Sequence, residues 1–310
     1  EVRRINLIPK FDQPHTTVIG QTYDVGDYET ALDKALDAAD YTALRAEQAA
    51  RRASGSPKQL GIGVSVYVEI TGGIPPFGDH AKIEVLPDGS AKVYTGTSPH
   101  GQGHMTAWAM LTSEQTGIPM DKIELIWGDT DLVPQGGGTM GSRSLQHGGA
   151  AVDQAAKELV EHAKGLAAKL LEADVADVVL DKDNGAFHVA GTPSVSKSWA
   201  ELAVSTESEG GLVLETDFAA ASPTFPFGAH VAVVEVDTET GQARVVRFIA
   251  VDDAGRILNP LLAEGQVHGG VGQGIGQALY EEMVYDADGN PLTTNFADYA
   301  FPSAAEIPSI

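Results

Sequence analysis

The 310 residues predict an α+β fold: two similar hairpin-plus-helix units forming a cleft, a helical lead-in, and a small peripheral subdomain. Three observations carry this expectation. The first 60 residues repeat apolar positions at helical spacing. From Leu60 the pattern turns to period-two alternation punctuated by glycine. The same alternation returns at His230, and each alternating block leads into a Gly-Gln-x-His: Gly101-Gln-Gly-His104 and Gly265-Gln-Val-His268.

In order along the chain, EVRRINLIPKF reads as a helix end, and residues 27–36 and DYTALRAEQAARRA as two amphipathic helices. GIGVSVYVEITGG and AKIEVLPDGSAKVYTGT then alternate as strands, with Asp88-Gly89 supplying a hairpin turn. A helix over about 103–116 precedes the strand KIELIWGD. The loop GDTDLVPQGGGTMGSRSLQHGGA opens a long helix to about Glu172, with a stripe of Val152, Ala156, Val160, Ala163, Ala167 and Leu170. Residues 173–224 alternate short strands and turns, as a peripheral subdomain would. HVAVVEVDTETGQARVVRFIAVDD is a second hairpin, followed by AGRILNP and the helical run LLAEGQVHGGVGQGIGQALYEEM. The implied boundaries are 1–59 for the lead-in, 60–172 for the first unit, 173–224 for the subdomain and 225–310 for a truncated second unit.

Bulk composition excludes several classes of function. With 43 acids against 20 Lys and Arg, the net charge of −23 argues against nucleic acid and anionic membrane as partners. The chain has no cysteine, so disulfides, thiolate zinc sites and directly ligated iron–sulfur clusters are excluded. No apolar run approaches the ~20 residues of a membrane span, and no export signal is recognisable. The expectation is a cytoplasmic protein and, from the missing initiating Met, a portion of a longer one.

Three glycine-rich segments concentrate the chemistry. SPHGQGHMT joins a strand to a helix: its glycines admit close approach and positive φ, the helix start offers amides, and Gln102 suits the edge of a heterocycle. It also satisfies a plain tight turn with a helix cap. His100 and His104 are four apart without an intervening Glu, so no direct metal ligand is expected. Gly136-Gly-Gly-Thr-Met-Gly-Ser-Arg-Ser144 lacks the Lys of a nucleotide P-loop, yet its amides, Thr139, Ser142, Ser144 and Arg143 would hold a phosphate; the alternative is a flexible loop with a Ser cap. Gly270, Gly272, Gly274 and Gly276 fall at every second residue, unlike a dinucleotide fingerprint. Each helical glycine costs about 1 kcal/mol relative to Ala, so something packs close to that backbone, a helix or a flat ligand. Screening over ~8 Å lets an acidic protein bind an anion through local neutral donors.

GQGHMT, GDTDLVPQGGGTMGSRS, DDAGRILNP, GQVHGGVGQGIGQALYEE and DYAFPSAAEIPSI together resemble the molybdenum-cofactor-binding large subunit of the xanthine oxidase family, in its carbon monoxide dehydrogenase and aldehyde oxidoreductase branch. The resemblance spans nearly the whole chain. It implies a molybdenum hydroxylase acting on an aldehyde, N-heterocycle or CO-type substrate. The implied cofactor is molybdopterin, in its cytosine dinucleotide form. Electrons would pass to an iron–sulfur small subunit and an FAD-binding medium subunit in a dimer of heterotrimers. By the same resemblance the cofactor-binding residues are Gln102, Gly103, His104, Thr139, Gly141, Ser142, Arg143, Ser144 and Gln266.

The chain departs from the family pattern where catalysis resides. The family's Gly-Val-Gly-Glu segment has no counterpart, and Glu281, Glu282 and Glu306 do not match it, so no catalytic residue is assigned. Its upstream Gly-Gly-Phe-Gly loop and cysteine-bearing active loop are also absent from these residues. The expectation is that these residues alone are inactive. Half of a split large subunit, or a non-catalytic assembly protein of the same fold, are the alternatives.

Overall fold

The computed structural model describes residues 1–73 and 78–310. In chain order it runs through helix α1 (Val2–Asn6), strands β1 (His15–Thr16) and β2 (Thr22–Tyr23), helices α2 (Tyr28–Ala39) and α3 (Tyr41–Ala53), and strand β3 (Lys58–Val68). Next come β4 (Gly78–Val85), β5 (Ala91–Thr95), α4 (His104–Thr116), β6 (Ile123–Ile126) and α5 (Ala150–Leu171). The chain continues through β7 (Val178–Asp181), β8 (Ala186–Val189), β9 (Ser196–Ser198), α6 (Trp199–Thr206) and β10 (Leu212–Ala219). It finishes with β11 (Phe227–Asp237), β12 (Ala243–Asp253) and α7 (Pro260–Leu279).

Two compact units divide the chain differently from the sequence boundaries: Glu1–Glu69 with Phe225–Ile310, and Ile70–Thr224. β3 causes the first difference. It pairs antiparallel with β11 along its length, giving the sheet β12-β11-β3, so it belongs with the second hairpin and not with a unit starting at 60. The lead-in is not separate either. α2 buries Leu32, Ala35 and Ala39 against Phe227, Ala229, Val231 and Val233, the inward set of β11. Asp27 caps that helix, its carboxylate accepting from Thr30 N at 3.3 Å.

The other unit is built on the sheet β10-β4-β5-β6. The β4–β5 hairpin turns at Asp88-Gly89 as expected, with Gly89 at φ +82°. β5 then runs parallel to β6, with α4 as the crossover. α5 lies on this sheet through a wide face of small residues, Ala151, Ala155, Ala156, Ala163, Ala167 and Ala168 around Val152 and Leu159. The expected stripe is therefore corrected at one end: Leu170 is 45% exposed, because the sheet lies under a broader and rotated face.

Residues 173–224 are also not peripheral. β10 pairs with β4 over eight residues and forms an edge of the central sheet. Phe187, Trp199, Leu202 and Leu212 enter the same core as β4, β5 and α5. Short elements cannot bury their apolar faces against one another alone, so they borrow the larger core. Trp199 Nε1 donates to Thr116 O at 2.9 Å, tying α6 to the end of α4.

Because Leu159 is fully buried and Leu170 is not, Leu159→Ala should cost about 2–5 kcal/mol and Leu170→Ala well under that. Denaturant midpoints of the two variants decide it; equal losses would contradict the helix orientation.

Candidate functional site

β5 ends in Thr95-Gly96-Thr97, and the chain turns through His100–Gly103 into α4. Gly101 and Gly103 take φ of +109° and +81°, which side chains resist, and a Cβ on Gly101 would meet nothing within 4 Å. Gly103 is the N-cap and no side chain caps the first-turn amides. The Gln102 side-chain oxygen accepts from His100 N, which leaves its NH2 group as the donor. His104, the first helical residue, is 4% exposed and stacks on Trp108 with ring centroids 5.0 Å apart. Its Nδ1 is buried with no hydrogen-bond partner among the described residues. Burial holds its pKa below the ordinary value, so the ring is neutral at physiological pH.

The second glycine segment crosses the end of β5. Gly138 N donates to Gly96 O at 3.2 Å, and a Cβ on Gly96 would collide with Gly136 Cα. The backbones touch, so both positions require glycine. Beyond Gly141 and Ser142, at φ +54° and +55°, a π-helical stretch (Ser144–Gly149) runs straight into α5. Among the described residues the other two non-glycine positions at positive φ, Asp40 and Glu172, are helix C-caps. Ser142 is instead an exposed loop residue held in a conformation that costs about 1–2 kcal/mol. Ser144 donates to Thr139 Oγ1 at 3.3 Å. Gly148 and Gly149 press on Thr97 and Trp108, and Trp108 Nε1 donates to Thr97 Oγ1 at 3.2 Å. The two segments are thus one assembly, carrying eight of the nine expected cofactor residues. Gln266 lies in the other unit, in the exposed first half of α7.

Arg143 departs from its expected role. It is 1% exposed, with Nη1 donating to Asp79 Oδ2 at 2.9 Å and to Gly138 O at 3.0 Å. Nη2 donates to Gly78 O and lies 3.3 Å from His147 Nδ1. The guanidinium is a buried strut under the loop, and a side chain on Gly137 would collide with it. With the guanidinium turned inward, the donors the loop leaves toward solvent are its amides and hydroxyls. Sequence reading missed Asp79, although a signal existed. Asp79 falls in phase with Ala81, Ile83 and Val85, all buried, and a carboxylate on the inward face of a strand requires a cation.

In α7, a Cβ on Gly265, Gly269, Gly270 or Gly274 would meet nothing within 4 Å. Only Gly272 and Gly276 face the C-terminal segment, at Ile307, Glu281 and Pro302. Among the described residues no group of three His, Asp or Glu is gathered to hold a bare metal ion, and no helix is long and apolar enough to cross a membrane.

A family profile described as the molybdopterin cofactor-binding domain matches residues 34–308. The chain belongs to that family. It is 41% identical to the carbon monoxide dehydrogenase large chain of Hydrogenophaga pseudoflava, over 99% of this chain and 40% of that one. The nicotine 6-hydroxylase large subunit of Paenarthrobacter nicotinovorans is 34% identical over 98% of this chain and 39% of its own length. Among solved structures, a Cu,Mo-CO dehydrogenase superposes with a TM-score of 0.82 at 37% identity, covering 95% of this chain and 39% of that one. Quinoline 2-oxidoreductase of Pseudomonas putida 86 gives 0.81 at 33% identity, covering 96% and 39%. The chain thus spans about two fifths of the relatives it matches. A molybdopterin-binding domain fits the site described: uncapped amides, an orphaned buried imidazole nitrogen and backbone exposed by glycine suit a flat, polar, partly anionic group.

Arg143→Met leaves the Asp79 carboxylate buried alone and should cost about 3–5 kcal/mol, whereas Arg143→Met with Asp79→Leu should recover much of that loss; a double variant no better than the single one would refute the strut. The depressed pKa of His104 means the unfolded chain binds the extra proton first. Stability should therefore fall as pH drops below about 6.5 toward the folded value. A His104→Phe variant should lose that part of the slope in thermal melts; an identical slope would show that His104 does not cause it.

Proposed function

We propose that this chain is the cofactor-binding portion of a molybdenum hydroxylase large subunit, and that the cofactor is molybdopterin cytosine dinucleotide. The observation that supports this most directly is the start of α4, with its uncapped amides and the buried, unpartnered His104 Nδ1 beside Gln102. The Gln102 carboxamide would donate to the edge of the pterin, and Gly103 lets the ring approach the backbone. His104, kept neutral by burial, adds a hydrogen-bonding group without adding charge. Thr139, Gly141, Ser142 and Ser144 would hold the phosphate side through hydroxyls and amides, on a loop that Arg143 supports from beneath. Gln266 is proposed as a second carboxamide for the same cofactor.

When bound, the cofactor supplies oxidative hydroxylation, a two-electron oxidation that inserts oxygen into the substrate. The residues of this chain bind and orient it, and no general base is assigned among them. The named relatives act on carbon monoxide, nicotine and quinoline, which favours a CO-type, aldehyde or nitrogen-heterocycle substrate. In the whole protein the electrons would leave through an iron–sulfur small subunit and an FAD-binding medium subunit, in a cytoplasmic dimer of heterotrimers.

Gln102→Ala in the full-length protein should lower bound molybdenum and pterin about tenfold, the loss expected for one well-placed hydrogen bond, with an unchanged melting temperature. Metal analysis and pterin fluorescence read the outcome. Full occupancy in the variant would remove Gln102 from the site, and a parent protein free of molybdenum would favour the non-catalytic reading.

A further inference from the structure

The sheet β12-β11-β3 turns one face to α2 and the other away from it. On that second face Tyr67, Gly228 and Asp252 stand in one rung, with His230 two residues further along β11. Tyr67 donates to Asp252 Oδ1 at 2.7 Å, and His230 Nε2 lies 2.8 Å from the same oxygen. One carboxylate oxygen therefore ties together all three strands. The rings add an edge-to-face chain, Tyr67 to His230 at 5.6 Å and His230 to Phe248 at 5.7 Å. Gly228 makes room for it: a Cβ there would lie 2.5 Å from Asp252 Oδ1 and 2.6 Å from the Tyr67 ring. Burial works to raise the Asp252 pKa, but the hydrogen bonds from His230 and Tyr67 prevail and hold it below the usual carboxylate value. For Tyr67, burial and the neighbouring carboxylate raise the phenol well above its ordinary value. Both shifts agree with a hydrogen-bonded cluster in which Asp252 is ionised and Tyr67 protonated.

The hydrophobic core does not call for such a cluster, because β11 sends Phe227, Ala229, Val231 and Val233 to the opposite face. The segment immediately C-terminal to the cluster gives it a purpose. β12 ends at Asp253, whose Oδ1 accepts from Gly255 N at 3.0 Å, and Gly255 takes φ +70°. The loop then reaches Asn259, which caps α7 by accepting from Leu262 N at 3.1 Å. α7 buries only Val271, Gly272, Ile275 and Gly276, all in its second half, while Leu261 is 78% exposed. Its first half, with Gln266, packs through the partly buried Val267 on the cluster of Val245, Val271 and Ile275, which Phe248 of β12 also joins. It is also tethered by the lead-in from β12, whose last paired residues are Asp252 and Asp253, opposite Gly228 and Phe227.

We infer that Tyr67, Asp252 and His230 are positioning residues: they fix the end of β12, and so set where the first half of α7 presents Gln266. The inference rests on the reading that Gln266 meets the cofactor, but its test does not. These 310 residues contain no cysteine, so in the full-length protein, with any reactive cysteine outside them replaced by serine, Gln266→Cys and Glu239→Cys accept a pair of spin labels. Tyr67→Phe removes one hydroxyl, and Gly228→Ala inserts one methyl group between Tyr67 and Asp252. Each variant should broaden the 239–266 distance distribution about twofold and speed amide exchange over residues 254–262 about tenfold, while amides of β11 and β12 keep their parental rates. An unchanged distribution in both variants overturns the inference. So does exchange that rises equally in the strands, which would make the cluster a fastening of the sheet alone. Both measurements are made without cofactor. Failure of the cofactor reading would appear elsewhere, as full molybdenum content in the Gln102→Ala protein despite normal anchoring.

Discussion

A single buried ion pair organises the unit that carries most of the candidate site. Arg143 and Asp79 are both withdrawn from water, and charges so placed persist only when they are paired and supported by further hydrogen bonds. Meeting them fixes the surroundings. Gly78 and Gly138 turn their carbonyls to the guanidinium, Gly137 passes over it without a side chain, and His147 closes on it from the π-helical turn. The first strand of the hairpin, the triple-glycine loop and the entry to α5 are thereby locked in one arrangement. The strained Ser142 is tolerated because its neighbour is the immovable Arg143.

That arrangement bears on the charge of the whole chain. At −23, a protein binding an anionic cofactor would be expected to spend its few cations on it. Here the one arginine within the glycine loop is spent internally, and the proposed ligand surface would consist of amides, hydroxyls and a carboxamide, with the neutral His104 imidazole buried beneath them. Such donors are oriented by backbone and packing, so they cost little reorganisation and no desolvation of an ion. Rigidity beneath the loop substitutes for charge on top of it.

The other unit solves a different problem. Its sheet has one apolar face, filled by α2, and another that carries α7 at one end and the Tyr67–Asp252–His230 cluster at the other. The glycines of α7 were expected to mark a close approach, and two of them do, at Ile307 and at Glu281 with Pro302. Of the remaining four, Gly265 and Gly269 leave open backbone along the half that carries Gln266, and Gly270 and Gly274 do so in the other half. In the first of these halves Val267 packs on the cluster of Val245, Val271 and Ile275, so packing and lead-in together place the helix.

The sequence alone determined the local elements: both hairpins, the helices after them, the Asp88-Gly89 turn and the glycine segments where backbone and ligand can meet. Each obeys short-range rules of periodicity, φ preference and capping, which a few adjacent residues satisfy among themselves. The five ordered motifs also sufficed to name the family. Only the tertiary structure decided that β3 belongs with β11 although more than 150 residues separate them, that β10 is an edge of the central sheet, and that Arg143 faces inward to Asp79. Strand partners and buried charge pairs are long-range choices. An alternating strand fits many edges, and an arginine in a polar loop reads as a surface cation until the carboxylate 64 residues away is brought against it.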